Sequence, residues 1–302
     1  MTDLTLQKLS AGQLVVMADG LLRAGDTKTA RSLYRAALPK APADMRDRIR
    51  LRIGLATQKD RRLVPTFEVL GALEKLGGRD FFVGDGLATW LKTIPFLEDA
   101  RFMEVADRYA DLLPIRNWHW NLMVAAWAVQ RARNLEGDLV ELGVFKGHTT
   151  LFCAEYLGFA QWPKRWWLYD TFDGIPEDQV DLQFSVSNKQ AYNEGTFSFE
   201  EVRDRFAPFP NIEVIKGRVP EILAERSASR IAFLHVDLNN VAAEIAALEV
   251  LFERVTPGGV ILFDDFGWAV SRAQYDAEVA WFAARGEQIL PLPTGQGLYV
   301  KR

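Results

Sequence analysis

The apolar positions of the chain follow two rhythms. Up to about Arg133 they recur with a helical period. Leu14, Met17, Ala18, Leu21 and Leu22 fall three and four apart, on one face of an amphipathic helix. The turn Gly25-Asp26-Thr27 follows, and Ala30, Leu33, Tyr34 and Ala37 predict a second helix stopped by Pro39. Helical spacing continues over Val64–Leu76, Glu98–Leu113 and Trp118–Arg133. After Asn134, short apolar runs alternate with helical stretches, the order that builds a parallel sheet. Strands are predicted at Leu139–Leu142, Trp166–Tyr169, Ile212–Ile215, Ile231–Val236 and Val260–Phe263. A last pair, Ile289–Pro291 and Leu298–Lys301, brackets the turn-rich segment Pro293-Thr294-Gly295-Gln296-Gly297. The expected fold class is α/β: a Rossmann-like sheet with a terminal β-hairpin, preceded by an all-α extension. The domain boundary is placed between a helical domain over 1–115 and an α/β domain over 116–302.

The first two helices resemble a single tetratricopeptide unit, but no second copy follows at a fixed spacing, which argues against a repeat array. Arg46, Arg48, Arg50, Arg52, Arg61 and Arg62 make the next segment locally basic, and a solvated helix face accounts for them.

Composition narrows the function classes. Thirty-six basic and 40 acidic residues leave a net charge of −4, which speaks against nucleic-acid binding through a basic face. One cysteine, Cys153, excludes a disulfide framework, thiolate zinc clusters and C-x-x-C redox chemistry. His119, His148 and His235 are too scattered for an H-E-x-x-H zinc site. The apolar stretch near Trp118–Gln130 is too short to span a bilayer, and the opening residues lack a signal-peptide pattern. A soluble, cytoplasmic protein with neither membrane nor nucleic-acid partner is expected.

Ligands of open α/β sheets bind at the carboxyl ends of the strands. There the first strand runs into Glu141-Leu-Gly143-Val-Phe-Lys-Gly147-His-Thr-Thr, a glycine-bearing entry into a helix whose amides favour an anionic group. It lacks the G-x-G-x-x-G of nicotinamide cofactor sites, which weakens a dehydrogenase or epimerase reading. The second strand ends at Asp170, near where an acid grips ribose hydroxyls in nucleotide-binding folds; an exposed loop acid is the other reading. Asp237 tips the fourth strand, and Asp264 and Asp265 tip the fifth. Three neighbouring carboxylates repel one another unless a proton or a cation separates them. Oxygen ligands without Cys or His point to Mg²⁺, Mn²⁺ or Ca²⁺.

The segments VELGVFKGHTT, LYDTFDGIPE, GTFSFEEV, IEVIKG, IAFLHVDLN and VTPGGVILFDDFG resemble, in order and spacing, the macrocin O-methyltransferase family. These are class I enzymes that methylate sugar or phenolic hydroxyls from S-adenosylmethionine, generally with Mg²⁺. The resemblance covers about Asn134 to Arg302. It implies donor binding by Glu141, Gly143, Gly147, Thr149, Asp170, Thr171, Gly217 and Asp237. It further implies Asp237, Asp264 and Asp265 as metal ligands, with Asp237 doubling as general base. One departure matters: the family's Asp-x-Asp-x-Tyr reads Asp237-Leu-Asn239-Asn240-Val241 here. Asn239 can offer a carbonyl oxygen to a cation but cannot take a proton, and Glu244 could restore a carboxylate.

In an O-methyltransferase a cation-bound hydroxyl would lose its proton to Asp237, with His235, two residues before it on the same strand face, as rival base. A core role for His235 is the other reading. The polar stretch Gln179–Asn193 precedes the capping box Ser198–Glu201 and reads as a lid over the acceptor. Trp118, His119 and Trp120 are read as pocket or core. The acceptor is expected to be a small molecule or glycan, and the aromatic-rich helical half offers a homo-oligomer surface. A metal-independent N-methyltransferase, and a non-catalytic interaction protein with a degenerate α/β domain, are the alternatives.

Overall fold

A computed structural model describes residues 9–59, 81–113, 117–176 and 197–302. The chain divides into two compact units, Met1–Ile94 and Pro95–Arg302.

The first unit opens with α1 (Ala11–Arg23), α2 (Thr27–Ala37) and α3 (Ala43–Lys59). The Ser10 side chain caps α1 in a reciprocal box with Gln13, and Asp26 caps α2 through the Thr29 amide. Leu14, Ala18, Ala30, Leu33, Tyr34 and Ala37, most of them positions picked out by spacing, form the core of this hairpin. The expected all-α extension is not wholly helical. A two-stranded hairpin, β1 (Phe81–Gly84) and β2 (Leu87–Trp90), closes through Asp85 and Gly86, both at positive φ. Two left-handed residues make the turn whose twist matches antiparallel strands, and Asp-Gly is its preferred pair. The predicted helix Val64–Leu76 lies outside the described residues.

The second unit begins with α4 (Pro95–Glu98), α5 (Ala100–Tyr109) and α6 (His119–Ala132). The division therefore falls earlier than the expected 115/116. Phe102 of α5 packs edge-on against Phe152 at 4.8 Å, and Tyr109 bonds Glu155 at 2.6 Å, so α5 belongs to the sheet domain. The α/β body then runs β3 (Asp138–Leu142), α7 (His148–Tyr156), β4 (Trp166–Asp170), α8 (Phe199–Arg205), β5 (Ile212–Lys216), α9 (Glu221–Glu225), β6 (Ile231–Val236), α10 (Val241–Leu251), β7 (Val255–Phe263), α11 (Arg272–Ala283), β8 (Leu290–Pro291) and β9 (Gly297–Val300). All seven predicted strands form, within a few residues of their expected bounds; β7 extends five residues further back.

Seven strands make one sheet in the order β5-β4-β3-β6-β7-β9-β8. The first five are parallel and the last two antiparallel. β6 is buried at every position, as a central parallel strand covered on both faces must be. The order reverses between β3 and β6, and that switch point is where such a sheet opens a crevice. Hydrogen bonds continue past the strand ends: Gly217 N–H donates to Asp170 O, Gly143 to Tyr169, Asp237 to Leu142 and Asp264 to Val236, at 2.8 to 3.0 Å. This extended ladder sets the predicted site loops side by side. No helix among the described residues is long and apolar enough to cross a membrane.

Candidate active site

A cavity of about 370 Å³ lies over the carboxyl ends of β3 to β7. Glu141, Gly143, Thr149, Asp170, Thr171, Gly217, Asp237, Asp264 and Asp265 all line it. Gly147 and His235, two other residues singled out in the sequence, are not among the lining residues.

The switch point is sterically tight. Gly143 sits at φ +85°, and a Cβ there would lie 1.8 Å from the Asp237 carbonyl oxygen, so only glycine lets the β3 loop meet the β6 end. Asp170 organises the same loop. One of its oxygens accepts the amides of Val144 (2.8 Å) and Phe145 (2.9 Å), and the other accepts that of Phe172 (2.8 Å). Sequence spacing suggested a ribose acid; the structure adds a loop anchor, with three of the carboxylate's roughly four lone-pair sites taken by backbone amides.

Beneath the floor, charges alternate across three adjacent strands. His235 is 1% exposed. Its Nδ1 lies 2.9 Å from Glu141 and its Nε2 lies 3.7 Å from Asp264, an ionic contact rather than a hydrogen bond. Although burial opposes it, the two carboxylates hold the imidazole protonated well above its ordinary range. The base role offered for His235 meets a physical obstacle: both nitrogens face acids, and the residue is not among those lining the cavity. Glu141 is held on its other oxygen by the Thr150 hydroxyl.

Asp264 is kept ionised. Against the upward push of burial, His235, Asn121 (3.0 Å) and Gln296 (3.3 Å) hold its carboxyl below the usual range. Asp237 and Asp265 go the other way. Burial first, then the negative charge of Asp264, pushes each well above the ordinary carboxylate range. The Asn239 amide donates to Asp237 at 2.9 Å. Asn239 stands at φ +56°, a conformation asparagine tolerates better than most residues. Glu244 does not restore a carboxylate to the cavity: it is 2% exposed and accepts from the Leu238 amide (3.2 Å) and Gln274 (3.0 Å). It buttresses the Asp237–Asn239 turn from behind.

Trp118 lines the cavity, whereas His119 and Trp120 pack on Phe96 at 5.3 and 4.8 Å, as core. His148 lines the cavity too, and burial lowers its pKa to about 4. The Ser198–Glu201 box forms at the head of α8, while the polar stretch Gln179–Asn193 lies outside the described residues. Sequence reasoning missed Asn121, Gln296 and Trp268. Their spacing to the acids carries no signal, because α6 and the β8–β9 hairpin reach the site only through the fold.

A divalent cation does not fit the site as arranged. Among the described residues no three His, Cys, Asp or Glu side chains are placed to hold one, and an oxygen of Asp264 is engaged by two amides. The donor expected from the resemblance does fit. The wall carries five carboxylates and, among the described residues, no lysine or arginine, a complement to a sulfonium cation.

Known proteins share this architecture. The solved O-methyltransferase NovP aligns with a TM-score of 0.51 at 21% identity, over 60% of this chain and 79% of its own. The calicheamicin methyltransferase CalS11 gives 0.50 at 20%, over 66% and 91%. Both likenesses concern the fold. Among curated relatives, the 8-demethyl-8-(2,3-dimethoxy-alpha-L-rhamnosyl)-tetracenomycin-C 4'-O-methyltransferase of Streptomyces olivaceus is 28% identical over 144 residues, 45% of this chain and 55% of that protein. The mycinamicin III 3''-O-methyltransferase of Micromonospora griseorubida is 24% identical over 140 residues, 43% and 55% of the two chains. The chain thus spans about half the length of the curated relatives it matches. The family model described as macrocin-O-methyltransferase (TylF) matches residues 120–280, more than half of the chain, a span that holds Glu141, Asp170, Asp237, Asp264 and Asp265. With the sheet order, the β3 glycine loop and the acids on β6 and β7 already in place, this match makes the chain a divergent member of the macrocin O-methyltransferase family.

Proposed function

We propose that the protein is an S-adenosylmethionine-dependent methyltransferase acting on a hydroxyl of a sugar, glycan or small natural product. The observation that carries this reading is the single cavity in which Gly143, Asp170 and Gly217 lie at one end of a row and Asp237, Asp264 and Asp265 at the other. Glu141, Gly143, Thr149, Asp170, Thr171 and Gly217 would hold the donor, with Gly147 shaping the entry to α7 from outside the wall. The donor supplies an electrophilic methyl group on a sulfonium.

Methyl transfer is an in-line displacement, so the chain's work is to align the nucleophile, exclude water and take up one proton. Asp237 is the base. Burial and the charges of Asp264 and Asp265 raise its carboxyl pKa above the ordinary range, which strengthens it as a base, and the Asn239 amide holds one of its oxygens. Asp264, ionised and tethered, supplies negative charge beside it. His235 is the buried counter-charge that lets Glu141 and Asp264 coexist. Divalent-cation dependence, generally seen in the family, is not written into this mechanism, because the ligand arrangement does not fit a cation.

The test is calorimetric titration with S-adenosylmethionine, once with Mg²⁺ and once with chelator. Saturable binding in both buffers, followed by methylation in an acceptor screen, is the expected result. Absence of binding in both would move the reading to a degenerate domain with an interaction role. A Mg²⁺ requirement for turnover would reinstate a cation on Asp237, Asp264 and Asp265.

A further inference from the structure

The turn that carries Asp237 out of β6 is strained. Asn239 sits at φ +56°, a left-handed backbone that persists only where its surroundings enforce it. On the cavity side the Asn239 amide bonds Asp237. From behind, the Leu238 amide donates to Glu244 at 3.2 Å, and Asn240 caps α10 through the Ala243 amide at 2.9 Å. Glu244 is in turn gripped by α11. The Gln274 amide donates to the same Glu244 oxygen at 3.0 Å. Glu278, four residues further along that face of α11, is buried against Glu244 and is its hydrogen-bond partner.

Two buried glutamates in contact pose a charge problem. One oxygen of each finds no donor among the described residues. A single proton between the carboxyls supplies one, and the pair then carries one negative charge instead of two. Burial, then the charge of Glu244, pushes the Glu278 carboxyl well above its ordinary range, so the proton resides there. Burial raises Glu244 too, but the bonds from Glu278, Gln274 and the Leu238 amide oppose that rise. Such a pair is a poor device for stability, since apolar residues of similar size would pack there without desolvating a charge. What it supplies is direction. With Glu278 satisfying one oxygen of Glu244, the other stays turned to Leu238 and Gln274.

Resting on the methyltransferase reading above, we infer that Glu278 is a positioning residue for the reaction: its carboxylic acid donates to Glu244 and thereby holds the Leu238 turn that presents Asp237 to the cavity. Neither glutamate is among the residues lining the cavity, so both act through the turn.

The experiment follows amide hydrogen exchange, residue by residue, by NMR at pH 7 in the wild-type protein, Glu278→Leu and Glu278→Gln. Binding of S-adenosylmethionine by each is measured first by calorimetry. The buried Leu234 of β6 and Ile261 of β7 serve as internal references for overall stability. In Glu278→Leu the lone carboxylate of Glu244 turns towards water. Relative to the references, the Leu238 amide should then exchange at least tenfold faster, with donor affinity little changed. Glu278→Gln keeps a donor towards Glu244 and should restore protection to within about threefold of the wild-type protein. An unchanged Leu238 amide in Glu278→Leu, a Glu278→Gln as unprotected as Glu278→Leu, or a loss shared equally by Leu234 and Ile261 would overturn the inference. Should Glu278→Leu not fold, infrared spectra of the wild-type protein and Glu278→Gln decide. A carbonyl band of a protonated carboxylic acid, present at pH 7 in the first and missing from the second, is expected; identical spectra in that region would overturn the inference. Failure of donor binding in the wild-type protein would instead remove the methyltransferase reading, and this inference with it.

Discussion

Gln296 donates its side-chain amide to Asp264 at 3.3 Å, across 32 residues of sequence, and is itself held by the Thr294 hydroxyl at 3.0 Å. The terminal hairpin is therefore part of the active-site floor as well as the edge of the sheet. Gln296 is fully buried, so the bond has no water to replace it. Gln296→Leu removes one of the donors that keep Asp264 ionised. We expect a stability loss of about 1–3 kcal/mol and a clear fall in kcat, with donor affinity nearly unchanged. Chemical denaturation and steady-state kinetics on the same preparation would separate the two effects. Unchanged kcat would assign Gln296 to packing alone.

Asp237 must be unprotonated to act as base, and its carboxyl is raised well above the ordinary range by burial and by Asp264 and Asp265. Activity is therefore lost as pH falls through a limb displaced upward from that of a free aspartate. Asp237→Asn should lower turnover by about 10²–10⁴-fold and abolish that limb while leaving donor binding in place. A pH–rate profile of both proteins checks it, and an intact limb in the variant would remove Asp237 as its source.

His148 titrates in the opposite sense. Burial lowers its folded pKa to about 4, so the folded state binds fewer protons than the unfolded chain between that value and about 6.5. The stability it permits is fully present above pH 6.5 and is lost as pH falls towards 4. The loss attributable to it is at most about 3 kcal/mol. Denaturant midpoints from pH 7 to pH 4 should fall less steeply in His148→Gln than in the wild-type protein; parallel curves would show that His148 is not the group responsible.

Two glycines should respond in opposite directions to the same change. At Gly143 a methyl group meets the Asp237 carbonyl at 1.8 Å, on backbone at φ +85°. Gly143→Ala should cost about 3 kcal/mol or more and abolish donor binding. At Gly20, inside α1, an added Cβ meets nothing within 4 Å. Gly20→Ala should therefore stabilise by about 0.5–1 kcal/mol. Thermal unfolding of the two variants reads both signs in one experiment.

The legible part of the molecule was its periodic part. Strands such as β6, apolar at nearly every position, announce themselves because a covered parallel strand has no polar face to show. Asp237, Asp264 and Asp265 were visible as charges ending such runs. Asp85-Gly86 carried a hairpin signal that the helical rhythm around it obscured. Asn121 and Gln296 were not legible: an amide in a helix or a turn is ordinary, and its contact with Asp264 exists only once α6 and the hairpin have met β7. The roles of Glu244 and His235 were hidden for a related reason. Sequence gives the strand face of a side chain but not whether a neighbouring element has already claimed its polar atoms, as Leu238 and Gln274 claim Glu244.

The pairing of Glu141 with His235 in the β3–β6 register has a kinetic corollary. The donor loop and the catalytic acid are neighbours in space but nearly a hundred residues apart along the chain, and β4 and β5 must be placed between their syntheses. Closing so long a loop is entropically costly and is rewarded only when the central strands pair. A partly folded chain thus holds no partial site. Affinity for the donor should appear in a single late step during refolding, in phase with the burial of His235.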